Sequence, residues 1–178
     1  MTLELISYAT DYCIKAHNGQ IRKFSGKPYH IHPINVAEIV SSIPNYNDYV
    51  TISVALLHDV IEDSDATRLD LERIFGYEVS EGVNILSRNT VEKVIGKTSE
   101  QAYNDRLWQA KDYIQVIKIA DVIDNTSDLH LQSTSSAQKK IDDIRNLYLP
   151  MAQKLNSSLE MMLLNNVENY YTKVGYVN

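Results

Sequence analysis

The stretch Val54-Ala55-Leu56-Leu57-His58-Asp59-Val60-Ile61-Glu62-Asp63 decides the fold, because an apolar run ends there in four ionisable residues. The apolar run favours a buried helix, which we place at about Asp48 to Glu62. On a helix, residues four apart share one face, so His58 and Asp59 would each have a carboxylate one turn beyond. Ionised groups in an apolar element need a partner, and a divalent cation suits a His-Asp pair. The alternative is a polar helix end in contact with solvent.

Length and composition favour a single helical domain. The 178 residues are 44% hydrophobic and 22% charged, with only 6 Gly and 4 Pro. A chain of this size can bury one sizeable core and is short for two ordinary domains. Apolar residues recur with a helical period, which argues against a strand-rich sandwich. We therefore expect an all-α helical bundle in which residues 1–178 form one domain.

Charge and cysteine content restrict the class of partner and the compartment. A net charge of −6 argues against a nucleic-acid-binding protein, so a phosphate-bearing ligand would need a local basic cluster. The single cysteine, Cys13, excludes an internal disulfide and lies in an apolar helical pattern, as a small core residue would. We see no leader-like apolar run at the N-terminus and no stretch near the ~20 apolar residues of a membrane span. We expect a soluble cytoplasmic protein that binds a small molecule and neither nucleic acid nor membrane.

Capping signals and periodicity predict where the other helices begin and end. Thr67 with Asp70 resembles a capping box, and Thr98 opens a second one. The segment Arg88 to Lys97 has no clean period and predicts a mobile, locally basic loop. The last third of the chain predicts two helices broken at Pro150, followed by a short tail. Other helices are predicted at about Thr2–His17, from Pro33 to Ile43, at Glu78–Ser87 and at Asp112–Leu129.

Two further potential metal ligands lie outside the opening stretch. His32 directly precedes a proline that fixes the backbone at a helix start, and Asp121 lies on an apolar helix. With His58 and Asp59 they form a mixed nitrogen and oxygen set, compatible with Mn²⁺, Fe²⁺ or Zn²⁺ and unlike a thiolate structural site. A metal there could keep open positions for water and polarise a phosphoryl oxygen.

Two carboxylates follow the His-Asp pair by one helical turn. Glu62 and Asp63 would be close enough to orient a water molecule or move its proton. The alternative is a solvated helix end. His17 is interpreted as a helix-end histidine without a chemical role.

A basic cluster could supply the cations that an acidic protein needs for a polyphosphate. Arg22, Lys23 and Lys27 lie in the loop before the first candidate histidine ligand. Lys118 and Asn125 flank the candidate aspartate by three and four residues, so they would reach the same cavity. The alternatives are a solvated charge run for the loop, and structural pairing with the aspartate for the other two.

Ordered motifs with fixed spacing run through most of the chain. They are His17-x-Gly-Gln-x-Arg22-Lys23, Gly26-x-Pro28-Tyr29-x-x-His32-Pro33, Ala55-Leu56-Leu57-His58-Asp59-x-x-Glu62-Asp63, Phe75-Gly76, Ile117-Lys118-Ile119-Ala120-Asp121-x-x-x-Asn125 and Leu147-Tyr148-Leu149-Pro150-Met151-Ala152. Over about residues 8 to 155, the chain resembles the hydrolase domain of the RelA/SpoT alarmone enzymes. Within that family it is most similar to the stand-alone small alarmone hydrolases.

This resemblance implies a fold, a cofactor and a reaction. It implies an all-helical HD-type metal-dependent phosphohydrolase domain with one Mn²⁺ per chain, held by His32, His58, Asp59 and Asp121. The implied reaction is hydrolysis of the 3′-pyrophosphate of the guanosine alarmones ppGpp or pppGpp, which gives GDP or GTP and pyrophosphate.

The resemblance also implies roles for the remaining site residues. Glu62 and Asp63 match the catalytic pair that readies the attacking water. Arg22 matches the arginine that packs on the guanine, Lys23 a phosphate contact and Asn125 a nucleoside contact. Lys118 completes the expected substrate-binding set on the ground of its spacing from Asp121 and not of the resemblance.

One departure from the family pattern concerns the substrate. The long enzymes read Asp-Arg-Leu-His-Asn-Met-Arg after the last ligand, whereas Asp121 is followed here by Val-Ile-Asp-Asn-Thr-Ser, without either arginine. An HD-type phosphohydrolase acting on another nucleotide therefore stays open, since the same metal would serve other phosphates. A regulatory module that binds without turnover is a third possibility. The sequence does not indicate the oligomeric state.

Overall fold

The computed structural model describes residues 2–175, and within them the chain is helical, with no strand beyond one isolated bridge between Ile21 and Pro28. The predicted all-α fold is confirmed. The helices are α1 (Thr2–Ala16), α2 (Ile31–Ser42), α3 (Tyr49–Leu57), α4 (Val60–Asp63), α5 (Arg68–Phe75), α6 (Tyr77–Leu86), α7 (Ser99–Gln109), α8 (Asp112–Thr126), α9 (Thr134–Asp143), α10 (Leu149–Leu155) and α11 (Ser157–Lys173).

Two helices, α3 and α8, form the centre of the bundle. Every residue of α3 from Thr51 to Leu57 is buried, because the helix is apolar on all sides and packs against α1, α2 and α6. Helix α8 packs against α2, α10 and α11, and most of its residues are buried. His58 and Asp59 therefore follow the end of one central helix and Asp121 lies within the other, while His32 lies in the first turn of α2.

The predicted capping boxes are present. The Thr67 hydroxyl accepts from the Asp70 amide at the start of α5, and Thr98 and Gln101 form the same reciprocal pair at the start of α7. Helix α5 ends at Phe75 and is followed by Gly76, whose φ of 88° lies in the region that favours glycine. These local signals were sufficient because a cap depends only on residues three positions apart.

The prediction of one helix from Asp48 to Glu62 was wrong. Helix α3 ends at Leu57 and α4 begins at Val60. The His58 imidazole Nδ1 lies 2.7 Å from the Ala55 carbonyl oxygen, which a continuing helix would offer to the Asp59 amide. The chain therefore turns at His58 and Asp59, and this turn aims both side chains into the interior between helices.

The prediction of a break at Pro150 was also wrong. Helix α9 continues through a π-helical turn, Ile144–Tyr148, into α10, which has Pro150 in its first turn. The wider π turn accommodates a residue that has no amide proton to donate and whose ring crowds the preceding turn. The break falls instead at Asn156, which has extended backbone angles and caps α11. Helix α8 ends at Thr126, before the predicted Leu129.

The buried apolar side chains form one main core, and a small cluster lies under α11. The small cluster comprises Leu129, Ala137, Ile141 and Tyr170. Cys13 is buried in the main core, as predicted, and burial raises the pKa of its thiol to about 12. None of the helices in residues 2–175 has the length and apolar composition needed to cross a membrane. The cytoplasmic location and the single-domain organisation stay predictions.

Candidate metal centre

The four candidate ligands come together from three separate parts of the chain. The ligand atoms of His32, His58 and Asp121 all lie within 4.8 Å of one another. Asp121 Oδ1 is 3.1 Å from His32 Nε2 and 3.8 Å from His58 Nε2. Asp59 Oδ2 joins them at 3.5 Å from His32 Nε2 and 3.3 Å from His58 Nε2. Neighbouring ligands of a six-coordinate cation with bonds of about 2.1 Å lie about 3 Å apart, so the arrangement is near to that of a metal site.

Each imidazole presents its Nε2 to this cluster, and in a metal-bound centre this nitrogen would be the unprotonated one. The Ala55 carbonyl can only accept, so His58 carries its proton on Nδ1. His32 Nδ1 lies 2.7 Å from Asp124 Oδ2, which orients it in the same way. The Nε2 atoms of His32 and His58 are buried and have no hydrogen-bond partner within the described residues. In the neutral imidazole such a buried Nε2 offers its lone pair to a metal, so the residues present fit a divalent cation.

The surrounding charges favour a cation at this point. Burial disfavours a charged imidazole, but the neighbouring Asp121 and Asp124 carboxylates raise the pKa of His32 to about 9. Burial likewise opposes ionisation of Asp121, yet the Lys118 ammonium and the two histidines hold its pKa well below the usual range. The net result is a buried group of carboxylates that retains negative charge and attracts a positive partner.

Two predicted substrate-binding residues contact the candidate ligand Asp121 directly. Lys118 Nζ donates to Asp121 Oδ2 at 2.5 Å, and Asn125 Nδ2 donates to Oδ1 at 2.5 Å. Burial would lower the pKa of Lys118, but the Asp121 carboxylate raises it well above its ordinary value, so Lys118 stays charged. The structural pairing considered as an alternative is therefore present, and contact with substrate stays a prediction.

Asp59 is oriented by a tyrosine that the sequence did not indicate. The Tyr29 hydroxyl donates to Asp59 Oδ2 at 2.7 Å. Burial, and then the Asp59 carboxylate, raise the pKa of Tyr29, so the phenol remains a neutral donor. The carboxylate next to both imidazoles is thus held by a neutral group, and its negative charge is retained.

The cluster opens into a cavity of about 340 Å³ whose wall includes Glu62 and Asp63. Glu62 Oε2 accepts from the Arg88 amide at 2.8 Å. The Asp63 carbonyl accepts from Gln20 Nε2 at 2.6 Å. Partial burial, and then the Asp59 carboxylate, raise the pKa of Asp63. The turn that carries both carboxylates is therefore held from two sides, and its side chains face the same cavity as the candidate ligands.

The three cations of the predicted basic cluster do not lie together at the candidate centre. Arg22 Nη1 donates to Asp124 Oδ2 at 2.5 Å and Nη2 donates to Asn125 Oδ1 at 3.2 Å. Lys23 and Lys27 are exposed. Only Arg22 is held against the residues of the candidate centre, and its charge is shared with a carboxylate.

Four residues near the centre were missed from the sequence. Asp124 lies one turn after Asp121 on α8, and that spacing was the available signal. Arg88 lies in the segment predicted only as a basic loop, and Tyr29 in a motif used only for the resemblance. His17, interpreted as having no chemical role, is 1% exposed, and its Nδ1 lies 2.9 Å from Gln20 Oε1, next to the turn that carries the two carboxylates.

Comparison with known proteins agrees with this geometry. A family model described as "HD domain" matches residues 9–157. The chain belongs to the HD domain family. The predicted homology to RelA/SpoT proteins is confirmed.

Two relatives illustrate the similarity of this HD domain to longer proteins. It is 33% identical over 178 residues to the GTP pyrophosphokinase of Myxococcus xanthus, covering 96% of this chain and 23% of the relative. It is 37% identical over 144 residues to the bifunctional (p)ppGpp synthase/hydrolase SpoT of Escherichia coli strain K12, covering 79% of this chain and 20% of SpoT. The chain thus spans about a fifth of the length of these curated relatives.

A solved structure shows the same fold over nearly the whole chain. It is described as a metazoan ortholog of SpoT that hydrolyzes ppGpp. It superposes with a TM-score of 0.79 at 24% sequence identity, covering 97% of each chain. At this level of identity the likeness establishes the helical HD arrangement.

Proposed function

We propose that this HD domain hydrolyses the 3′-pyrophosphate of ppGpp or pppGpp, releasing GDP or GTP and pyrophosphate. The observation that carries the proposal is the pair of buried, unpartnered Nε2 atoms of His32 and His58, which face two carboxylates at a cavity containing Glu62 and Asp63. Support comes from the relatives, among them an Escherichia coli O157:H7 protein, 37% identical over 144 residues, named guanosine-3′,5′-bis(diphosphate) 3′-pyrophosphohydrolase.

The proposed cofactor is one Mn²⁺, held by His32, His58, Asp59 and Asp121. The mixed nitrogen and oxygen donors suit this ion, although Fe²⁺ and Zn²⁺ accept the same set. When bound, the cation supplies Lewis-acid polarisation of a phosphoryl oxygen. The chain's own part is to hold two imidazoles in the correct tautomer and two carboxylates in the ionised form.

Glu62 and Asp63 are the proposed catalytic pair. In the reaction, a water oxygen forms a bond to the phosphorus that is attached to the ribose 3′ oxygen. The bond from that phosphorus to the 3′ oxygen breaks, and the 3′ oxygen gains a proton. Glu62, held by the Arg88 amide, is placed to orient the water. Asp63, whose pKa is raised, is suited to take the proton from the water and return it to the ribose oxygen.

The proposed substrate contacts are Arg22, Lys23, Lys118 and Asn125. Lys118 and Asn125 line the cavity beside the candidate metal centre, which supports a role near the reacting phosphates. Arg22 lies beside Asn125 and could pack on the base from that position. The surface that Lys23 presents to solvent is available to an incoming anion.

Metal content and initial rates measured together test the proposal. With Mn²⁺ and ppGpp, the purified chain should release pyrophosphate. Asp59→Ala and Asp121→Ala should abolish metal retention, whereas Glu62→Ala should keep the metal and lose at least about 10²-fold in rate. The exposed Glu38→Ala on α2 is the control and should keep both properties. Full activity in Glu62→Ala would remove this residue from the mechanism.

A second candidate is an HD phosphohydrolase acting on another nucleotide. The observation in its favour concerns Asp124, which lies in the segment where the sequence differs from the family pattern. Its carboxylate accepts a hydrogen bond from Arg22, the residue expected to pack on guanine. A panel of nucleoside phosphates assayed beside ppGpp separates the two functions. Turnover of monophosphates alone would exclude the alarmone. Tight ppGpp binding without pyrophosphate release in saturating Mn²⁺ would instead indicate a regulatory module.

A further inference from the structure

The short turn that follows α6 contacts Glu62 twice. Arg88–Thr90 form this 3₁₀ turn. The Arg88 amide donates to Glu62 Oε2 at 2.8 Å, and Asn89 Nδ2 donates to the Glu62 carbonyl oxygen at 3.3 Å. An amide that holds a carboxylate is only as well fixed as the backbone that carries it. The position of the Arg88–Thr90 turn therefore determines the position of the Glu62 carboxylate.

Helix α7 holds this turn with two side chains. Arg106 Nη2 donates to the Ser87 carbonyl oxygen at 2.5 Å, and Nη1 donates to Thr90 Oγ1 at 3.1 Å. The Tyr103 hydroxyl donates to the Leu86 carbonyl oxygen at 2.8 Å. These two carbonyl groups lie at the end of α6, where the helix itself supplies no donor. Arg106 thus joins the residue before the turn to the last residue of the turn.

Arg106 is withdrawn from water to make these contacts. Burial lowers the pKa of its guanidinium, and its Nε is buried without a hydrogen-bond partner among residues 2–175. Both acceptors of its hydrogen bonds are uncharged oxygens. Apolar side chains would join α6 to α7 without burying a cation, whereas only a rigid fork of donors reaches two oxygens at fixed positions. The arrangement therefore serves the geometry of the turn.

We infer that Arg106 is a positioning residue for the proposed reaction, because it fixes the Arg88–Thr90 turn and, through the Arg88 amide, the Glu62 carboxylate. The inference rests on the proposed function and adds a residue that lies outside the cavity at the candidate centre. The chain of contacts from Arg106 to Glu62 includes none of the candidate metal ligands. Its loss should therefore lower the rate and leave metal binding intact.

Arg106→Gln tests the inference through kcat. We expect kcat for ppGpp to fall about 10- to 100-fold, because a small displacement of a catalytic group has an effect of this size. KM should change by a smaller factor, and Mn²⁺ affinity, measured by calorimetry, should equal that of the wild type. Arg73→Gln removes the same charge from an exposed position on α5, and it should match the wild type in all three quantities.

A pair of variants at Thr90 breaks the same contact without removing a buried cation. Thr90→Val keeps the shape of the side chain and removes the hydroxyl that accepts from Arg106 and donates to the Asn84 carbonyl oxygen. Its kcat should fall, whereas Thr90→Ser, which keeps the hydroxyl, should stay close to the wild type. This pair decides the question if Arg106→Gln does not fold. Equal kcat in Thr90→Val and Thr90→Ser would overturn the inference.

The Glu62→Ala background separates positioning from a general structural role. If Arg106 acts through Glu62, the double variant Glu62→Ala/Arg106→Gln should have the kcat of Glu62→Ala alone. A general loss of structure would lower kcat by the same factor in both backgrounds. That outcome, or a wild-type kcat in Arg106→Gln, would overturn the inference while the proposed function stands.

If the wild type does not hydrolyse ppGpp, the proposed function fails and hydrogen exchange tests the position of Glu62 directly. Exchange of the Arg88 amide should accelerate at least about tenfold in Arg106→Gln and in Glu62→Ala, while the amides of α8 keep their wild-type rates. An unchanged exchange rate of the Arg88 amide in Arg106→Gln would overturn the inference by itself.

Discussion

Each candidate histidine ligand is oriented by a group behind its ring, and the two groups differ in kind. His58 donates to the Ala55 carbonyl, a backbone group that no side-chain substitution removes. His32 depends on the Asp124 carboxylate, which also accepts from Asn35 and Arg22. The orientation of His32 is therefore the more vulnerable of the two, because one carboxylate supplies both its hydrogen bond and its charge.

Replacing Asp124 should weaken the metal site without touching a ligand. In Asp124→Asn the amide keeps the shape but loses the charge, and it can turn its NH₂ group toward His32 and favour the wrong tautomer. We expect Mn²⁺ affinity, measured by calorimetry, to fall about 10- to 100-fold. Asp128→Asn, just beyond the end of α8, is the control and should bind Mn²⁺ as the wild type does. Equal affinity in both variants would show that Asp124 does not orient the ligand.

The Tyr29 phenol should act on the metal site in the same indirect way. Tyr29→Phe removes the hydrogen bond to Asp59 Oδ2 and keeps the ring, so the carboxylate is freer to turn away from the imidazoles. We expect about a tenfold loss of Mn²⁺ affinity with little loss of stability. Tyr12→Phe is the matched control, because the Tyr12 ring packs on Phe75 away from the centre. Unchanged Mn²⁺ affinity in Tyr29→Phe would assign the tyrosine a packing role only.

At the scale of elements, the contact between α3 and α6 positions the His-Asp turn. Gly82 on α6 allows the two helices to approach closely, since a methyl group there would lie 2.7 Å from Val54 Cγ2 and 3.2 Å from Ile114 Cδ1. Val54 is one turn before His58. The closeness of α3 to α6 at Gly82 therefore determines how far the end of α3 lies from α8.

Filling this contact should destabilise the protein. Gly82→Ala would ordinarily gain about 0.5–1 kcal/mol in a helix interior, but overpacking of this kind costs about 1–3 kcal/mol. We expect a net fall in Tm of a few degrees by calorimetry. The double variant Val54→Ala/Gly82→Ala should lose less stability than the sum of the losses in the two single variants. A higher Tm for Gly82→Ala alone would show that α3 and α6 can move apart with little loss of stability.

At the scale of the whole molecule, the candidate centre places several carboxylates close together in the middle of the bundle. Three carboxylates, those of Asp59, Asp121 and Asp124, lie around His32, and protonation of the imidazole partly neutralises them. A bound divalent cation would replace that proton. Metal binding and protonation therefore compete for the same buried position.

This competition predicts a pH dependence of stability in the metal-free protein. The pKa of His32 is raised to about 9 from an ordinary value of about 6.5. A raised pKa contributes stability that is complete below pH 6.5 and lost as pH rises through 9. We expect the free energy of unfolding of the metal-free protein to fall by on the order of 3 kcal/mol over this interval. Its Tm should fall by several degrees.

The metal-loaded protein provides the comparison for this pH dependence. With Mn²⁺ bound, the Nε2 of His32 would carry no proton to lose, so the Tm of the loaded protein should change little between pH 6.5 and 9. The difference in Tm between the two forms should therefore widen. The exposed His130→Gln should leave both curves unchanged. A metal-free Tm that rises across this interval would contradict the assigned charge of His32.

The local features of this chain were predictable because they depend on neighbours a few residues apart. The capping boxes at Thr67 and Thr98 and the apolar faces of the helices follow from short-range spacing. The four candidate ligands could be named because their residue types and order form a specific motif. The sequence did not indicate the end of α3 at Leu57, since that break depends on the competition of His58 with its own helix for the Ala55 carbonyl.

The sequence by itself determined a helical bundle of the HD family and the residue types available to a metal and a phosphate. Only the tertiary structure decided how those residues are used. Asp124 meets His32 from 92 positions away and pairs with Arg22, and Lys140 lies beside the Asn125 carbonyl with no carboxylate within 4.0 Å among residues 2–175. These relations depend on which helix faces pack together, and a charge acquires its partner, or lacks one, only when packing removes it from water.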